Sequence, residues 1–315
     1  MSWIDRLPSI RQAPKGLVDV RQGMGADAEA MKYFEPTDLG EALDLLASDE
    51  DLACLAGGQT LVGVLNLGVA EVGGLVSLRR ISGLNEIQVN ETGVTVGAMA
   101  THAAVARDAR LAGRFALLKE AAGRIAHPAI RSQGTMGGSI CHADPAADYP
   151  GVLVALDAQV EVAAATGRRR IAAQDFFVDF LTNALEPGEM VTAVHFPPAP
   201  AGAREAGIYE KFTRVDGDYA TVSVACTIGM DGTACSSAGI ALGSCDVRPV
   251  RSTAAEAALL GGSLDDAAVA EAGRLLAEAA DPQTDTRGSA DYRRRLIPGL
   301  VARAIGRARA ALDLQ

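Results

Sequence analysis

The chain has 315 residues, of which 49% are hydrophobic and 22% charged, ordinary values for a folded protein of two or three domains. Its formal net charge of −10 argues against nucleic acid or an anionic membrane surface as a partner. No apolar run approaches the roughly 20 residues of a membrane-spanning helix, and Met1 to Arg6 lacks the basic flank and apolar stretch of a signal peptide. We therefore expect a cytoplasmic protein.

Hydrophobic periodicity predicts alternating helices and strands in the first two thirds of the chain and a sheet followed by helices in the last third. Residues before Met31 have little periodicity, and we expect them to be a mobile extension or the product of a start codon placed too early. A linker is predicted from Pro197 to Gly202. The predicted helices are 38–46, 101–105, 111–125, 252–260, 264–280 and 289–312. Thr37 or Asp38 is predicted to cap the first of these helices, and Thr101 the second. The predicted strands are 52–55, 75–78, 94–98, 159–162 with a hairpin turn at 166–168, 190–196, 208–214, 220–230 and 236–242.

The most informative stretch runs from His127 to Pro150. Its Asp144-Pro145 pair predicts a helix N-cap followed by Pro at the first helical position. Its glycine-rich middle, Gly134 to Ser139, lets main-chain N–H groups approach an anion with no side chain in the way, and hydroxyl groups add donors. This pattern is typical of a phosphate-binding loop.

A second glycine loop, Ala56-Gly57-Gly58-Gln59-Thr60, follows an apolar run. It matches neither the Walker A pattern nor G-x-G-x-x-G. Because 34 of the 315 residues are glycine, either loop alone is also compatible with an ordinary turn. Together they favour a diphosphate held from two sides. We expect a side chain at Gly57 or Gly137 to keep the main chain away from the phosphates while leaving the protein folded.

The five cysteines form no C-x-x-C pair, which disfavours zinc or iron–sulfur ligation within this chain. Their odd number also disfavours a disulfide framework. We expect buried free thiols.

Three motifs together resemble the FAD-binding subunit of the molybdenum hydroxylases, the family of carbon monoxide and xanthine dehydrogenases. They are Ala56–Thr60, the block Ile130–Pro150, and Tyr209-Glu210-Lys211-Phe212 with Asp218-Tyr219-Ala220. The resemblance runs from about residue 31 to the C-terminal helix. It implies an α+β fold in which a PCMH-type FAD-binding domain of two subdomains (31–199, divided into about 31–85 and 86–199) precedes a C-terminal flavoprotein domain (203–315) with a three-stranded antiparallel sheet and helices.

The same resemblance implies which residues bind FAD. The two glycine loops hold the diphosphate through their main chain, and Asp148 binds a flavin hydroxyl or ring edge. Leu185 packs against the ring, while Lys211 and Tyr219 lie near it, where a cation or a phenol stabilises negative charge. Ile125 takes a place where some relatives put an aromatic residue beside the adenine. The complete set is Ala56, Gly57, Gly58, Gln59, Thr60, Leu61, Thr135, Gly137, Gly138, Ser139, His142, Asp144, Asp148, Leu185, Lys211 and Tyr219.

Several of these residues also have structural interpretations. Asp144 is a candidate helix N-cap, and Asp148 a partner of the first helical turn. Lys211 is equally a solvated strand residue, and Tyr219 an aromatic side chain on the sheet. A metal site built on His142 and the two aspartates is disfavoured, because their side chains do not converge predictably.

Three further features have ordinary interpretations. His102 and His195 have no partner in the sequence pattern and are read as ordinary residues. The run Arg168–Arg170 is read as a solvated face of a hairpin, with an acidic docking partner as the alternative.

The resemblance implies an electron-transfer subunit of a three-subunit enzyme. FAD would take electrons from iron–sulfur clusters on one partner chain and pass them to an external acceptor, while another partner carries the molybdenum cofactor. Two alternatives are a nucleotide-binding scaffold without redox activity and a stand-alone flavoprotein oxidoreductase. No residue set for substrate chemistry or covalent flavin attachment is present. The substrate and the acceptor (NAD, oxygen, quinone or a cytochrome) stay open.

Overall fold

The structure is a computed structural model that describes residues 31–199 and 202–313. The predicted N-terminal extension lies outside these residues, as does the middle of the predicted linker. The helices are α1 Leu39–Ser48, α2 Leu61–Asn66, α3 His102–Arg107, α4 Ala116–Arg124, α5 Pro128–Arg131, α6 Met136–His142, α7 Tyr149–Ala155, α8 Ala173–Phe176, α9 Thr253–Ala257, α10 Asp266–Ala279 and α11 Ala290–Asp313. The strands are β1 Lys32–Phe34, β2 Leu52–Leu55, β3 Gly74–Ser77, β4 Ile87–Asn90, β5 Gly93–Gly97, β6 Gln159–Ala164, β7 Gly167–Ala172, β8 Phe177–Asp179, β9 Thr182–Asn183, β10 Met190–Phe196, β11 Arg204–Phe212, β12 Val222–Asp231, β13 Ala234–Gly243 and β14 Val250–Arg251.

The described part of the chain has four sheets, of which three are large and the fourth is the two-stranded pair β8-β9. The first is a parallel sheet in the order β1-β3-β2, and the second an antiparallel sheet in the order β4-β5-β10-β6-β7. The third contains the three antiparallel strands predicted for the C-terminal region, extended at one edge by the two-residue strand β14. The mixed α+β class is thereby confirmed.

Helix α7 connects the second and third sheets. Its sequence, YPGVLVA, is apolar on every side, and all seven residues are buried, as expected of a helix enclosed by other elements. It contacts α4, α8, β12 and β13, and its side chains share one hydrophobic core with residues of the second sheet. The packing of α7 therefore also determines the position of Asp148, the residue at its N-terminal end.

Helix α11 covers the third sheet and is anchored by ion pairs. Arg303 and Arg307 both bind the carboxylate of Glu210 on β11, at Nη2–Oε2 and Nη1–Oε1 distances of 2.6 and 2.8 Å. Arg307 also reaches Glu120 on α4 at 2.8 Å. These contacts link the C-terminal helix to the strand that carries Lys211 and to the helix beside it.

Among the boundaries that differ from the prediction, two lie between residues 111 and 149. The helix expected from residue 111 starts as a 3-10 turn at Gly113–Phe115 and becomes α-helical at Ala116. The N-cap predicted at Asp144 is wrong, because α7 starts only at Tyr149. Asp144 instead closes a turn, in which its Oδ1 accepts the N–H of Ala146 and its carbonyl accepts the N–H of Ala147.

The arginines of the β6–β7 hairpin pair with acidic residues of this chain. Arg168 and Arg170 bind Glu161, and their side chains are more than half exposed. Arg169 binds Glu189 at 2.7 Å. This geometry agrees with a solvated hairpin face. No helix among the described residues is long and apolar enough to span a bilayer.

Candidate functional site: a dinucleotide cleft

A cleft of about 650 Å³ lies where the first sheet, the segment 98–148 and the loop before β12 meet. Its volume is in the range of roughly 300–1,000 Å³ that is usual for cofactor sites. All the predicted FAD residues except Asp144 line this cleft. The lining residues among them are Ala56, Gly57, Gly58, Gln59, Thr60, Leu61, Thr135, Gly137, Gly138, Ser139, His142, Asp148, Leu185, Lys211 and Tyr219. Residues that are far apart in sequence are therefore brought to one surface.

The first glycine loop offers a run of unused donors. Within the described chain, the N–H groups of Gly57, Gly58, Gln59 and Thr60 have no hydrogen-bond acceptor. Gly58 has a φ of 71°, which favours glycine and turns consecutive N–H groups toward one side. Such a concave row of main-chain donors binds anions. This loop has the properties expected of a diphosphate site.

The second glycine loop is organised differently from the prediction. The N–H of Gly137 donates to Ala98 O at 2.8 Å, and the N–H of Gly138 to Thr135 Oγ1 at 3.1 Å. The N–H of Ser139 donates to Thr135 O at 3.0 Å. These main-chain donors are already satisfied inside the protein, so they are not available to a ligand. What this loop offers are the hydroxyl groups of Thr135 and Ser139.

The two loops also touch each other. A Cβ placed on Gly57 would lie 2.1 Å from Gln133 O and 2.9 Å from the Cα of Gly134. A Cβ on Gly137 would lie 2.7 Å from the Cβ of Ala98. A side chain at either glycine therefore collides with the protein and not with a ligand. The expectation that the added side chain acts by excluding phosphate is therefore wrong, because its first contact is with the protein.

One wall of the cleft carries a buried ion pair. The carboxylate of Asp148 lies 2.9 Å from Lys211 Nζ, with 6% and 2% of the two side chains exposed. Lys211 Nζ also donates to Asp148 Oδ2 at 3.1 Å, and the hydroxyl of Tyr209 donates to Asp148 Oδ1 at 2.5 Å. Burial raises the pKa of the Asp148 carboxyl, while Lys211 and Tyr209 oppose that rise. Asp148 stands at the N-cap position of α7 but makes no capping bond, which argues against the interpretation that it pairs with the first turn of that helix.

Lys211 also exchanges hydrogen bonds with Arg124, each side chain donating to the other residue's main-chain carbonyl. Its Nζ donates to Arg124 O at 3.2 Å, and Arg124 Nη2 donates back to Lys211 O at 3.1 Å. Lys211 is thus not a solvated strand residue. Among the residues that line the described cleft it is the only Lys or Arg, so the first loop must bind an anion chiefly through N–H dipoles.

Tyr219 lies at the open edge of the cleft and is 43% exposed. The guanidinium of Arg287 lies 5.4 Å from the centre of its ring, within the range of a cation–π contact. Burial of its hydroxyl and the nearby Asp144 raise the pKa of Tyr219. The phenol therefore stays protonated at neutral pH and is a hydrogen-bond donor at the cleft edge.

Ile125 lies at the same end of the cleft as Lys211 and Tyr219. Arg124, its neighbour, binds Lys211, and a Cβ on Gly217 would lie 2.8 Å from Ala126 O. Ile125, expected near the adenine, is thus close to Lys211 and Tyr219, expected near the flavin ring. Segments 50–54, 70–72 and 186–191 also line the cleft.

The wall that contains Leu185 is built by a short turn. Leu185 N donates to Asn183 Oδ1 at 3.0 Å, and Asn183 Nδ2 donates to Cys141 O at 2.7 Å. The half-buried residues Cys141 and Cys54 also line the cleft. The expectation of buried thiols holds for the other three cysteines, Cys226, Cys235 and Cys245.

Sequence reasoning missed three residues of this site: Tyr209, Asn183 and His102. Tyr209 is part of the recognised Tyr-Glu-Lys-Phe motif, and its position two residues before Lys211 puts both side chains on one face of β11. His102 follows the correctly predicted cap Thr101. Nothing local marks Asn183, because its role depends on a carbonyl 42 residues earlier in the chain.

Comparison with known proteins gives two family matches. Residues 29–199 match the model described as the FAD binding domain in molybdopterin dehydrogenase, and residues 207–308 match the CO dehydrogenase flavoprotein C-terminal domain. The carbon monoxide dehydrogenase medium chain of Afipia carboxidovorans is 36% identical over 88% of this chain and 96% of its own length.

The chain belongs to the FAD-binding medium subunits of the molybdenum hydroxylases.

Other medium subunits show the same full-length similarity. The nicotine 6-hydroxylase medium subunit of Paenarthrobacter nicotinovorans is 34% identical over 88% of this chain and 96% of its own length. Solved structures agree: a chain of a cyanide-inactivated Cu,Mo-CO dehydrogenase superposes with a TM-score of 0.85 at 35% identity, covering 89% of this chain and 98% of its own. A chain of quinoline 2-oxidoreductase from Pseudomonas putida gives 0.84 at 34% identity, covering 90% and 98%.

Proposed function

We propose that the cleft binds one noncovalent FAD and that the chain is the electron-transfer subunit of a molybdenum-containing hydroxylase or dehydrogenase. The observation that carries this is the row of free N–H groups at Gly57–Thr60, which faces the same cleft as the Asp148–Lys211 pair. Bound FAD supplies the redox chemistry, since it accepts and donates electrons singly or in pairs.

The residues of this chain have separate tasks in this proposal. The Gly57–Thr60 N–H groups and the hydroxyls of Thr135 and Ser139 hold the diphosphate. The ion pair and Tyr219 bind polar groups at one end of the cleft, and Leu185 packs against the cofactor. Two loops for one diphosphate favour FAD over FMN, which carries a single phosphate.

The proposed partners are an iron–sulfur subunit and a subunit that carries the molybdenum cofactor. The names of the similar proteins support them: these proteins are medium chains or subunits, which implies larger assemblies. We further propose that electrons leave through FAD to an external acceptor.

Acid release of the flavin followed by chromatography tests the cofactor. The expected result is about one FAD per chain, with none left covalently attached. Recovery of FMN, of a covalent adduct, or of a nucleotide without flavin would contradict the proposal. The last outcome would favour the scaffold alternative.

Co-purification from the native source tests the assembly. We expect two further subunits, one with iron–sulfur clusters and one with molybdenum, and at most dye reduction from the isolated chain. A lone flavin-loaded chain that oxidises a substrate unaided would contradict the subunit assignment.

A further inference from the structure

A buried histidine, His102, lines the cleft at the point where the two glycine loops meet. It is 5% exposed. The Nε2–Cδ2 edge of its ring lies against Gly134, since a Cβ on that glycine would be 2.7 Å from Nε2. Gly57 of the first loop touches the same Gly134 Cα. The imidazole is therefore next to the place proposed for the diphosphate.

The other ring nitrogen has a fixed partner. His102 Nδ1 lies 3.2 Å from the hydroxyl of Tyr149, and the two rings are 5.3 Å apart at an angle of 56°. Tyr149 is fully buried at the start of α7, and burial raises its pKa, so the hydroxyl keeps its proton. Within the described residues its hydroxyl has no other hydrogen-bond partner.

This arrangement decides the tautomer of His102. A buried hydroxyl must donate its hydrogen, and Nδ1 is the acceptor within reach. Burial and the nearby Arg131 lower the pKa of His102 to about 4, so the ring is neutral near pH 7 and carries one proton. That proton is then on Nε2. The opposite tautomer would leave the hydroxyl hydrogen of Tyr149 without an acceptor.

Nε2 itself is available to a ligand. Within residues 31–199 and 202–313 it makes no hydrogen bond. It is not fully buried either, so a ligand in the cleft can reach it. The N–H groups of Gly137, Gly138 and Ser139 beside it are already used. A side-chain donor at this point supplies what the main chain of the second loop does not.

We propose that His102, held in its Nε2–H form by Tyr149, donates a hydrogen bond to a phosphate oxygen of the dinucleotide in the cleft. This rests on the proposed function for the identity of the ligand. Tyr149 is then a positioning residue, which never touches the ligand but keeps the donor on the correct nitrogen.

Nuclear magnetic resonance of the full chain tests the tautomer without any activity. The chain has four histidines, so selective ¹⁵N-histidine labelling gives a simple spectrum, and His102→Gln assigns the signal. We expect the Nε2–H form in the flavin-free chain and a mixture of tautomers in Tyr149→Phe. A signal of the Nδ1–H form in the unaltered chain would overturn the proposal.

Ligand binding tests the donor. Added inorganic pyrophosphate should shift the His102 Nε2 signal, while sodium chloride at equal ionic strength should not. FAD affinity should fall by roughly tenfold or more in His102→Leu, because a hydrogen bond to a charged group is lost. It should fall less in His102→Gln, which keeps an N–H donor.

These experiments distinguish a failure of the His102 proposal from a failure of the proposed FAD binding. Unchanged FAD affinity in a folded His102→Leu variant overturns the donor role. If that variant does not fold, an unshifted Nε2 signal with pyrophosphate overturns it instead. Absence of FAD binding in the unaltered chain, together with a pyrophosphate shift at Nε2, contradicts the flavin assignment and leaves the phosphate donor supported.

Discussion

The carboxylate of Asp148 and the ammonium of Lys211 lie 2.9 Å apart in the wall of the cleft, although 63 residues separate them in sequence. Asp148 is placed by the fully buried helix α7, and Lys211 by the long strand β11. Removing one member leaves the other as an uncompensated buried charge. The pair therefore links the stability of the protein to its candidate site.

Lys211→Met should lower the free energy of unfolding by about 3–5 kcal/mol, because the Asp148 carboxylate loses its counter-charge. The double variant Asp148→Asn with Lys211→Met should lose clearly less than the sum of the two single variants. Urea denaturation of the flavin-free chain measures all three. Strictly additive losses would show that the two groups do not interact in solution.

Gly57→Ala should destabilise the chain and abolish FAD retention, because the new Cβ would lie 2.1 Å from Gln133 O and force the loops apart. The matched control is Gly63→Ala in α2, where a Cβ meets nothing within 4 Å. There alanine should be neutral or stabilise by up to about 1 kcal/mol through helix propensity. Thermal melting and flavin occupancy measure both. A Gly57→Ala chain with unchanged melting and full occupancy would contradict the observed loop contact.

Stability should depend on pH through His102, whose pKa is lowered from its ordinary 6.5 to about 4. Between these pH values the unfolded chain binds a proton at His102 that the folded chain does not bind. The free energy of unfolding therefore has its full value above about pH 6.5, as far as this group is concerned, and falls as the pH decreases toward 4. The slope from this group is about 1.4 kcal/mol per pH unit. Urea titrations across this range should show a flatter dependence for His102→Gln than for the unaltered chain.

Replacement of the exposed His127 provides the control for that titration. His127→Gln should leave the pH dependence as it is in the unaltered chain. An equal slope in the His102→Gln and unaltered chains would mean that His102 is protonated in the folded state as easily as in the unfolded one.

Glu210→Gln should cost about 2 kcal/mol, because the buried carboxylate accepts hydrogen bonds from both Arg303 and Arg307. Glu278→Gln is the matched surface control. Its pair with Arg274 is exposed, at 61% and 51% of the two side chains, and should change stability by less than about 0.5 kcal/mol. Chemical denaturation compares the two. Equal effects would show that the ion pairs of α11 contribute no more than a surface pair.

The sequence by itself determined the elements whose signals are local. Thr101 caps its helix as predicted, and Asp38 is the one of the two predicted candidates, Thr37 and Asp38, that caps α1. An N-cap needs only a side chain and an N–H three residues on. The hairpin of β6 and β7 and the three long C-terminal strands follow from alternation and turns. The motifs also identified the family, and through it the cofactor.

Only the tertiary structure decided how the glycine loops share their task. Both contain glycines and hydroxyl side chains, so their sequences look equivalent. In the fold, Ala98 and Thr135 accept hydrogen bonds from the N–H groups of the second loop. The N–H groups of Gly57–Thr60 have no acceptor within the described chain. Whether a main-chain donor is available depends on which carbonyl packs beside it, and in the case of Ala98 that carbonyl comes from a distant part of the chain.

The same reason explains the residues with unexpected roles. Asp144-Pro145 is a valid local signal for a helix start, but the chain makes a turn there and begins α7 later, where its apolar residues can be buried. His102 looked ordinary because its two neighbours, Gly134 and Tyr149, meet it only after folding. Burial and long-range contacts, which no local pattern encodes, set the charge state of His102 and which of its nitrogens carries the proton.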